Sequence, residues 1–412
     1  MEKIKIEEKF IKQAAELARS CEVLPGGVDE LAHKLQKAHD ENRPLRIKLG
    51  LDPTRPDLHL GHSVVMRKLK QFQNFGHQVV LIVGGSTAMV GDPSGKSATR
   101  PSLTQKEVDE NAKTYFEQMG KIVDLSKSEV VNNADWFNKM GFADMLKLAS
   151  KITVAQMMAR DDFAKRYNEG KPISVHEFFY PLMQGYDSVI VEADIELGGT
   201  DQRFNTLLGR EIQLSYGVKK EPQMVMLLPL LEGTDGIVKM SKTYPENCIS
   251  ITEDSQNMYG KIMSIPDSLI IRYYELLCDI SNEELEQIKF RLESENPRNL
   301  KMELALCVTR LYHDEETAKK AQENFINVVQ KKQIPDDIKS IGITDGASLI
   351  DLIIELGFAQ SKGEAKRLFQ SGAIKLDGEK IADFLQKVNF GNKSEIILQS
   401  GKRNFAKLVL KA

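Results

Sequence analysis

Residues 45–85 constrain the fold more than any other stretch of the chain. LRIKLGL (45–51) alternates apolar and basic side chains. HSVVMRKLKQFQNFG (62–76) sets Val65, Leu69 and Phe72 at helical spacing and stops at Gly76, and QVVLIVGG (78–85) is an apolar run. Strand, helix and strand in that order form a crossover unit, so the two strands are expected to be parallel. In open parallel sheets ligands bind beyond the carboxyl ends of the strands, beside helix N-termini. The tetrapeptide HLGH (His59, Leu60, Gly61, His62) falls at that place, after the first strand.

At 412 residues the chain is too long for one ordinary core, so two or three domains are expected. With 41% hydrophobic and 28% charged residues it reads as globular, and no apolar run nears the roughly 20 residues of a spanning helix. The N-terminal MEKIKIEEKFIKQAAELARS reads as a charged amphipathic helix without the apolar stretch of a signal peptide, so a cytoplasmic protein is expected. Cys21, Cys248, Cys278 and Cys307 form no CxxC pair and no metal-ligand spacing, and they read as reduced core thiols. The formal net charge of −3 hides an asymmetry, because residues 349–412 carry 11 Lys and Arg against 7 Asp and Glu. A mildly basic tail on an acidic body suits a polyanionic partner.

From about residue 245 the pattern is helical, with SNEE (281–284) as a capping box and a long amphipathic stretch over about 296–332. QIPDDIKSIGITDGAS (333–348) has turn residues and little periodicity, so it reads as a linker before a final compact unit.

Five short segments carry candidate chemistry. His59 and His62 are one helical turn apart, suited to phosphate oxygens, and Gly61 leaves room for a nucleotide base against the backbone. GDPSGKS (91–97) looks like a phosphate loop but is not one, since the first glycine of that pattern would fall at Val90. In YPLMQGYD, Tyr180, Gln184 and Asp187 fall at i, i+4 and i+7, so one helix would aim all three at one pocket. ELGGTDQ (196–202) offers close backbone approach at Gly198 and Gly199. KMSK (Lys239, Met240, Ser241, Lys242) follows Gly233, Thr234, Asp235 and Gly236, as a closing loop would. Singly, each segment also reads as ordinary structure: histidines near a helix start, a basic turn, a polar stripe, a simple turn or a charged surface loop.

Together and in this order, HLGH and KMSK resemble the signature of class I aminoacyl-tRNA synthetases. The lead-in Asp52-Pro53-Thr54, GDPSGK, YxxxQxxD and GGTDQ narrow the resemblance to the tyrosyl-tRNA synthetase family, over about residues 30–412. The resemblance implies an α/β fold: a Rossmann-like parallel-sheet catalytic domain (1–245), an α-helical anticodon-binding domain (246–332), the linker (333–348) and a small α+β RNA-binding domain (349–412). It implies ATP as substrate with Mg²⁺ on its phosphates, L-tyrosine and tRNA(Tyr) as partners, a homodimer, and no metal site of the protein's own. By the same resemblance Thr54, His59, His62, Lys239 and Lys242 act in catalysis. Asp52, Gly61, Lys96, Arg100, Gly199, Asp201 and Lys242 bind ATP, and Asp92, Tyr180, Gln184, Asp187 and Gln202 bind tyrosine, with Asp187 on the phenolic hydroxyl. The chain departs from the family at Lys48, where many members carry a tyrosine that contacts the phenol, and at Leu49 and Val65.

The tail segment SKGEAKRL resembles the small RNA-binding domain named for ribosomal protein S-four. Lys362, Lys366 and Arg367 would there form one basic helical edge along an RNA backbone. Two rival readings are a small-molecule adenylyltransferase, which has no need of the tail, and a non-catalytic RNA-binding paralogue, which has no need of KMSK.

Overall fold

The computed structural model describes residues 5–54, 57–94, 104–217, 221–241, 244–327, 338–401 and 404–411. It divides into two compact units, residues 1–313 and 314–412.

The first unit is built on a six-stranded sheet. Its strands are β1 (Glu22–Leu24), β2 (Arg46–Leu51), β3 (Gln78–Val83), β4 (Ser128–Asn132), β5 (Ile195–Gly199) and β6 (Met224–Leu228), in the order β1-β6-β5-β2-β3-β4. β2 to β6 run parallel, and only β1, on the edge, is antiparallel. Strands covered by helices on both faces need apolar side chains on both, and β3 and β6 are buried almost throughout. The edge strand β4 is only partly buried and keeps a mixed sequence.

The expected crossover is present. The helix Leu60–Asn74 joins β2 to β3, with Leu69 and Phe72 fully buried and Gly76 in a left-handed turn (φ 83°) after its end. The helices Ser255–Met263, Ile270–Leu277, Asn282–Ser294 and Pro297–Tyr312 complete this unit. They are docked to the sheet region by Tyr273, whose hydroxyl donates to Glu232 O at 2.7 Å, and by the Arg67–Asp279 pair. The SNEE segment forms the expected capping box, Ser281 Oγ accepting from Glu284 N and Glu284 accepting from Ser281 N.

Two expectations about the chain after 296 are corrected. The amphipathic stretch is not continuous, because Asp314 caps a new helix, Glu315–Phe325, by accepting from Thr317 N at 2.7 Å. The stretch 333–348 is not all linker: it contains β7 (Lys339–Ile343), paired in parallel with β11 (Asn404–Leu410). Along the chain between them come β8 (Ile374–Leu376), β9 (Glu379–Lys380) and β10 (Glu395–Ser400), and the order in the sheet is β7-β11-β10-β8-β9. Helices Leu349–Glu355 and Lys362–Gln370 pack on this sheet around Leu349, Ile353, Phe369 and Leu398. The β8–β9 turn has Asp377 and Gly378 at positive φ, the two-residue hairpin that Asp-Gly favours.

Candidate active site

β2 lies between β3 and β5, so the chain winds away from it in both directions and the strand ends separate there. A cleft of about 360 Å³ opens at that point. Asp52 and Thr54 reach it from the end of β2, Gly199, Asp201 and Gln202 from the end of β5, and Tyr180, Gln184 and Asp187 from the helix Phe179–Ile190. His59, Gly61, His62, Asp92 and Lys239 also line it.

The two histidines cap their own helix. His59 Nδ1 accepts from Gly61 N at 3.1 Å, and His62 Nδ1 accepts from His59 N at 3.2 Å. The rings lie 3.8 Å apart, tilted by 33°. These bonds select the neutral tautomer with the proton on Nε2, so each ring keeps a donor on its outer nitrogen. That donor and the positive end of the helix favour an anion. A Cβ at Gly61 would lie 3.0 Å from the His59 ring, so a larger residue there would press on the cap. Lys239 Nζ approaches Asp201 Oδ2 at 3.4 Å, and the KMSK segment is anchored by Met240 N donating to Leu231 O at 2.8 Å.

A second set of groups forms a connected polar network. Asp52 accepts from Tyr180 OH and from Thr87 Oγ1, both at 2.8 Å. Gly84 makes room for this, since a Cβ there would lie 1.9 Å from Asp52 Oδ1. Gln202 Nε2 donates to Asp92 Oδ2 at 2.9 Å. Asn205 Nδ2 donates to Gln184 Oε1 at 3.0 Å and to Gln202 Oε1 at 3.1 Å, while its own Oδ1 accepts from buried Arg160 at 3.0 Å. Arg160 also donates to Ser94 Oγ at 2.8 Å, and so fixes the turn that carries Asp92.

Asp187 is buried, with Trp136 Nε1 donating to Oδ1 at 3.0 Å and Asn133 Nδ2 to Oδ2 at 3.2 Å. Burial raises its carboxyl to about 7, against the opposing effects of Lys48 and the two hydrogen bonds. Lys48 itself does not line the cleft. Its ammonium donates to Gln184 O and Ser188 Oγ, both at 2.7 Å, and pairs with Glu196. Leu49 and Val65 do line the cleft.

The fold therefore brings into one cleft every catalytic, ATP-binding and tyrosine-binding candidate that falls within the described residues. Lys96, Arg100 and Lys242 lie outside them. Lys362, Lys366 and Arg367 are exposed on a helix of the second unit, where Lys362 pairs with Asp351 at 3.1 Å and Lys366 lies 4.7 Å from the Phe384 ring centre. Sequence reasoning missed Thr87, Asn133, Trp136, Arg160, Glu196 and Asn205. Trp136, the single tryptophan, was a usable signal, as was Asn205 three residues beyond Gln202. The others have no local mark.

Comparison with known proteins fits this geometry. The family model for tRNA synthetases class I (W and Y) matches residues 40–330, which sets the class. The model for the Tyrosine--tRNA ligase SYY-like C-terminal domain matches residues 330–408. Over 366 residues the chain is 54% identical to the tyrosine–tRNA ligase of Thermotoga maritima, covering 88% of this chain and 90% of that one. With the tyrosine–tRNA ligase of Carboxydothermus hydrogenoformans it shares 49% over 411 residues, covering 96% and 98%. Among solved structures, a C-terminally truncated Aspergillus nidulans mitochondrial tyrosyl-tRNA synthetase has the same fold, with a TM-score of 0.64 at 22% identity over 77% of this chain and 93% of that one. The Archaeoglobus fulgidus tyrosyl-tRNA synthetase complexed with L-tyrosine gives a TM-score of 0.60 at 22% identity, over 76% and 99%. The chain belongs to the tyrosine–tRNA ligase family.

Proposed function

We propose that this cleft joins L-tyrosine to tRNA(Tyr) in two steps. First the tyrosine carboxylate attacks the α-phosphorus of ATP, forming tyrosyl-AMP and releasing pyrophosphate. Then a terminal ribose hydroxyl of the tRNA attacks the adenylate carbonyl, and AMP leaves. The observation that carries this reading is the paired imidazole cap, set at the sheet's switch point in the same cleft as Lys239 and the Asp52–Tyr180 and Asp92–Gln202 pairs.

The first step needs positioning and charge neutralisation rather than a side-chain base, because the attacking carboxylate is already ionised at neutral pH. His59 and His62 donate from Nε2 to phosphate oxygens, with Thr54 and Lys239 beside them and Lys242 on the departing pyrophosphate. Asp52 takes part in ATP binding, Gly61 and Gly199 give the adenosine room, Asp201 accepts from the ribose hydroxyls, and Lys96 and Arg100 serve the pyrophosphate end. Mg²⁺ enters as a companion of the phosphates and spreads their charge.

Tyr180, Gln184 and Asp92 hold the tyrosine ammonium, Gln202 its carboxylate and Asp187 its phenolic hydroxyl. Lys362, Lys366 and Arg367 follow the RNA backbone, and the helices between 246 and 332 take the anticodon end. The protein works as a homodimer: Val130, Phe142, Leu146, Val154 and Val175 are exposed apolar side chains within residues 130–175, as a covered surface would have. No helix among the described residues is long and apolar enough to cross a membrane, and the cytoplasm, where its tRNA is found, is its place of work.

The test is ATP–pyrophosphate exchange with each of the twenty amino acids, without tRNA. Exchange with tyrosine alone is expected. Exchange with another amino acid would move the specificity, and none with folded protein would refute the activation step. Light scattering of the purified protein tests the dimer, a monomer being the contrary result.

A further inference from the structure

The four cysteines carry no pairing signal in the sequence, yet the fold brings two of them together. Cys278 ends the helix Ile270–Leu277, Cys307 lies within the helix Pro297–Tyr312, and their Sγ atoms are 2.7 Å apart. Both are free thiols. They differ in access, since Cys278 is buried and Cys307 is partly exposed. They differ in acidity as well. The hydrogen bond with Cys278, followed by nearby Arg310 and Arg67, holds the Cys307 thiol below its usual range, while burial pushes the Cys278 thiol up. A partly exposed thiol of lowered pKa beside a buried partner has the layout of an attacking and a resolving cysteine.

We infer that Cys278 and Cys307 form a reversible dithiol–disulfide site, in which Cys307 attacks a low-molecular-weight disulfide such as glutathione disulfide and Cys278 resolves the adduct. In the first step Cys307 Sγ, as thiolate, bonds to one sulfur of the small disulfide. The other sulfur leaves as a thiolate and takes up the proton that Cys307 released. In the second step the Cys278 thiol loses its proton, its sulfur bonds to Cys307 Sγ, and the remaining small thiolate leaves and is protonated. Two protein thiols are oxidised to one disulfide, and one small disulfide is reduced to two thiols.

The location gives the bond something to act on. Asp279, next to Cys278, pairs with Arg67 of the helix that begins at HLGH. A small cavity lined by Cys278, Arg67, Val64 and Leu228 backs onto the catalytic cleft, which Val64 and Leu228 also line. The cross-link therefore ties two helices of the first unit together one side-chain layer behind the imidazole cap.

The test treats the full chain with glutathione disulfide at neutral pH, then takes its intact mass and a non-reducing peptide map. The expected result is loss of the mass of two hydrogen atoms, a linked peptide pair containing Cys278 and Cys307, and reversal by dithiothreitol. Cys278→Ala should hold one glutathione on Cys307, and Cys307→Ala should take none at Cys278, each variant's ATP–pyrophosphate exchange before treatment reporting that it is folded. A lasting glutathione adduct on the wild-type chain without the link overturns the inference. So does a link through Cys21 or Cys248, or no reaction of the folded protein.

Discussion

Lys48 Nζ lies 2.9 Å from the Glu196 carboxylate, with 0% and 1% of the two side chains exposed. Three acceptors, Gln184 O, Ser188 Oγ and Glu196, surround an ammonium that has three protons to donate. Glu196 in turn accepts from Gln184 Nε2 at 3.1 Å and from Gln223. The residue that departs from the family's pocket tyrosine thus braces the floor of the cleft and does not reach for substrate.

Removing one member of a buried pair leaves the other charge uncompensated, so Lys48→Met should destabilise the first unit by about 3 kcal/mol or more. The double variant Lys48→Met, Glu196→Gln should recover much of that loss. Urea unfolding followed by Trp136 fluorescence reads both, and a single variant as stable as wild type would remove the pair from any structural role.

Asp187 gives a pH signature. Its carboxyl titrates at about 7 in the fold, against an ordinary 3.8, chiefly because it is buried. Between those values the native protein holds a proton that the unfolded chain has released. Stability from this group therefore falls as pH rises from about 4 to about 7 and is level above. Asp187→Asn has no such titration and should gain on wild type across that window, as denaturant midpoints at a series of pH values would show.

The same residue should decide side-chain selection. A site built to bond a hydroxyl leaves a buried polar group unpaired when phenylalanine enters, and tyrosyl-tRNA synthetase is itself the familiar illustration of that rule. Taking only the general cost of an unpaired buried group, Asp187→Ala should reduce tyrosine-over-phenylalanine discrimination by about tenfold or more. Exchange kinetics with the two amino acids measure it, and unchanged discrimination would disprove the assignment.

Asn205 touches Gln184 and Gln202 but does not line the cleft, so it acts by positioning. Asn205→Ala should raise KM for tyrosine about tenfold, the worth of one or two hydrogen bonds, and leave kcat nearly unchanged. A fall in kcat with KM intact would place its effect on the transition state instead.

His59 does two things that one substitution can separate. Asn at 59 can still accept from a backbone N–H at the helix start, whereas Ala cannot, and a lost cap costs about 1 kcal/mol. Neither supplies the outer imidazole donor. Both variants should therefore slow adenylate formation by about a hundredfold or more, while only His59→Ala loses stability as well. Single-turnover pyrophosphate release and thermal melts distinguish the two effects.

What was legible in the sequence was local. HLGH, Tyr180 with Gln184 and Asp187, and the Ser281 capping box each lie within a turn or two of helix, where spacing alone sets direction. What was hidden depends on partners far along the chain. Lys48 meets Ser188 across 140 residues, and Arg160 meets Ser94 across 66. β7 read as linker because its KSIGI has little apolar alternation of its own. It becomes a strand only through β11, where Ala406 stands opposite Lys339.

That pairing also decides how the second unit can be handled as a piece of chain. Its first and last strands are neighbours, so its sheet is closed by pairing between the two end strands. Trimming a few residues from the carboxyl terminus would open this closure from both sides at once, since β7 and β10 would each lose their β11 partner. Grafted onto another protein, the sheet-bearing part of the unit from 338 onward would carry the β7–β11 pairing with it.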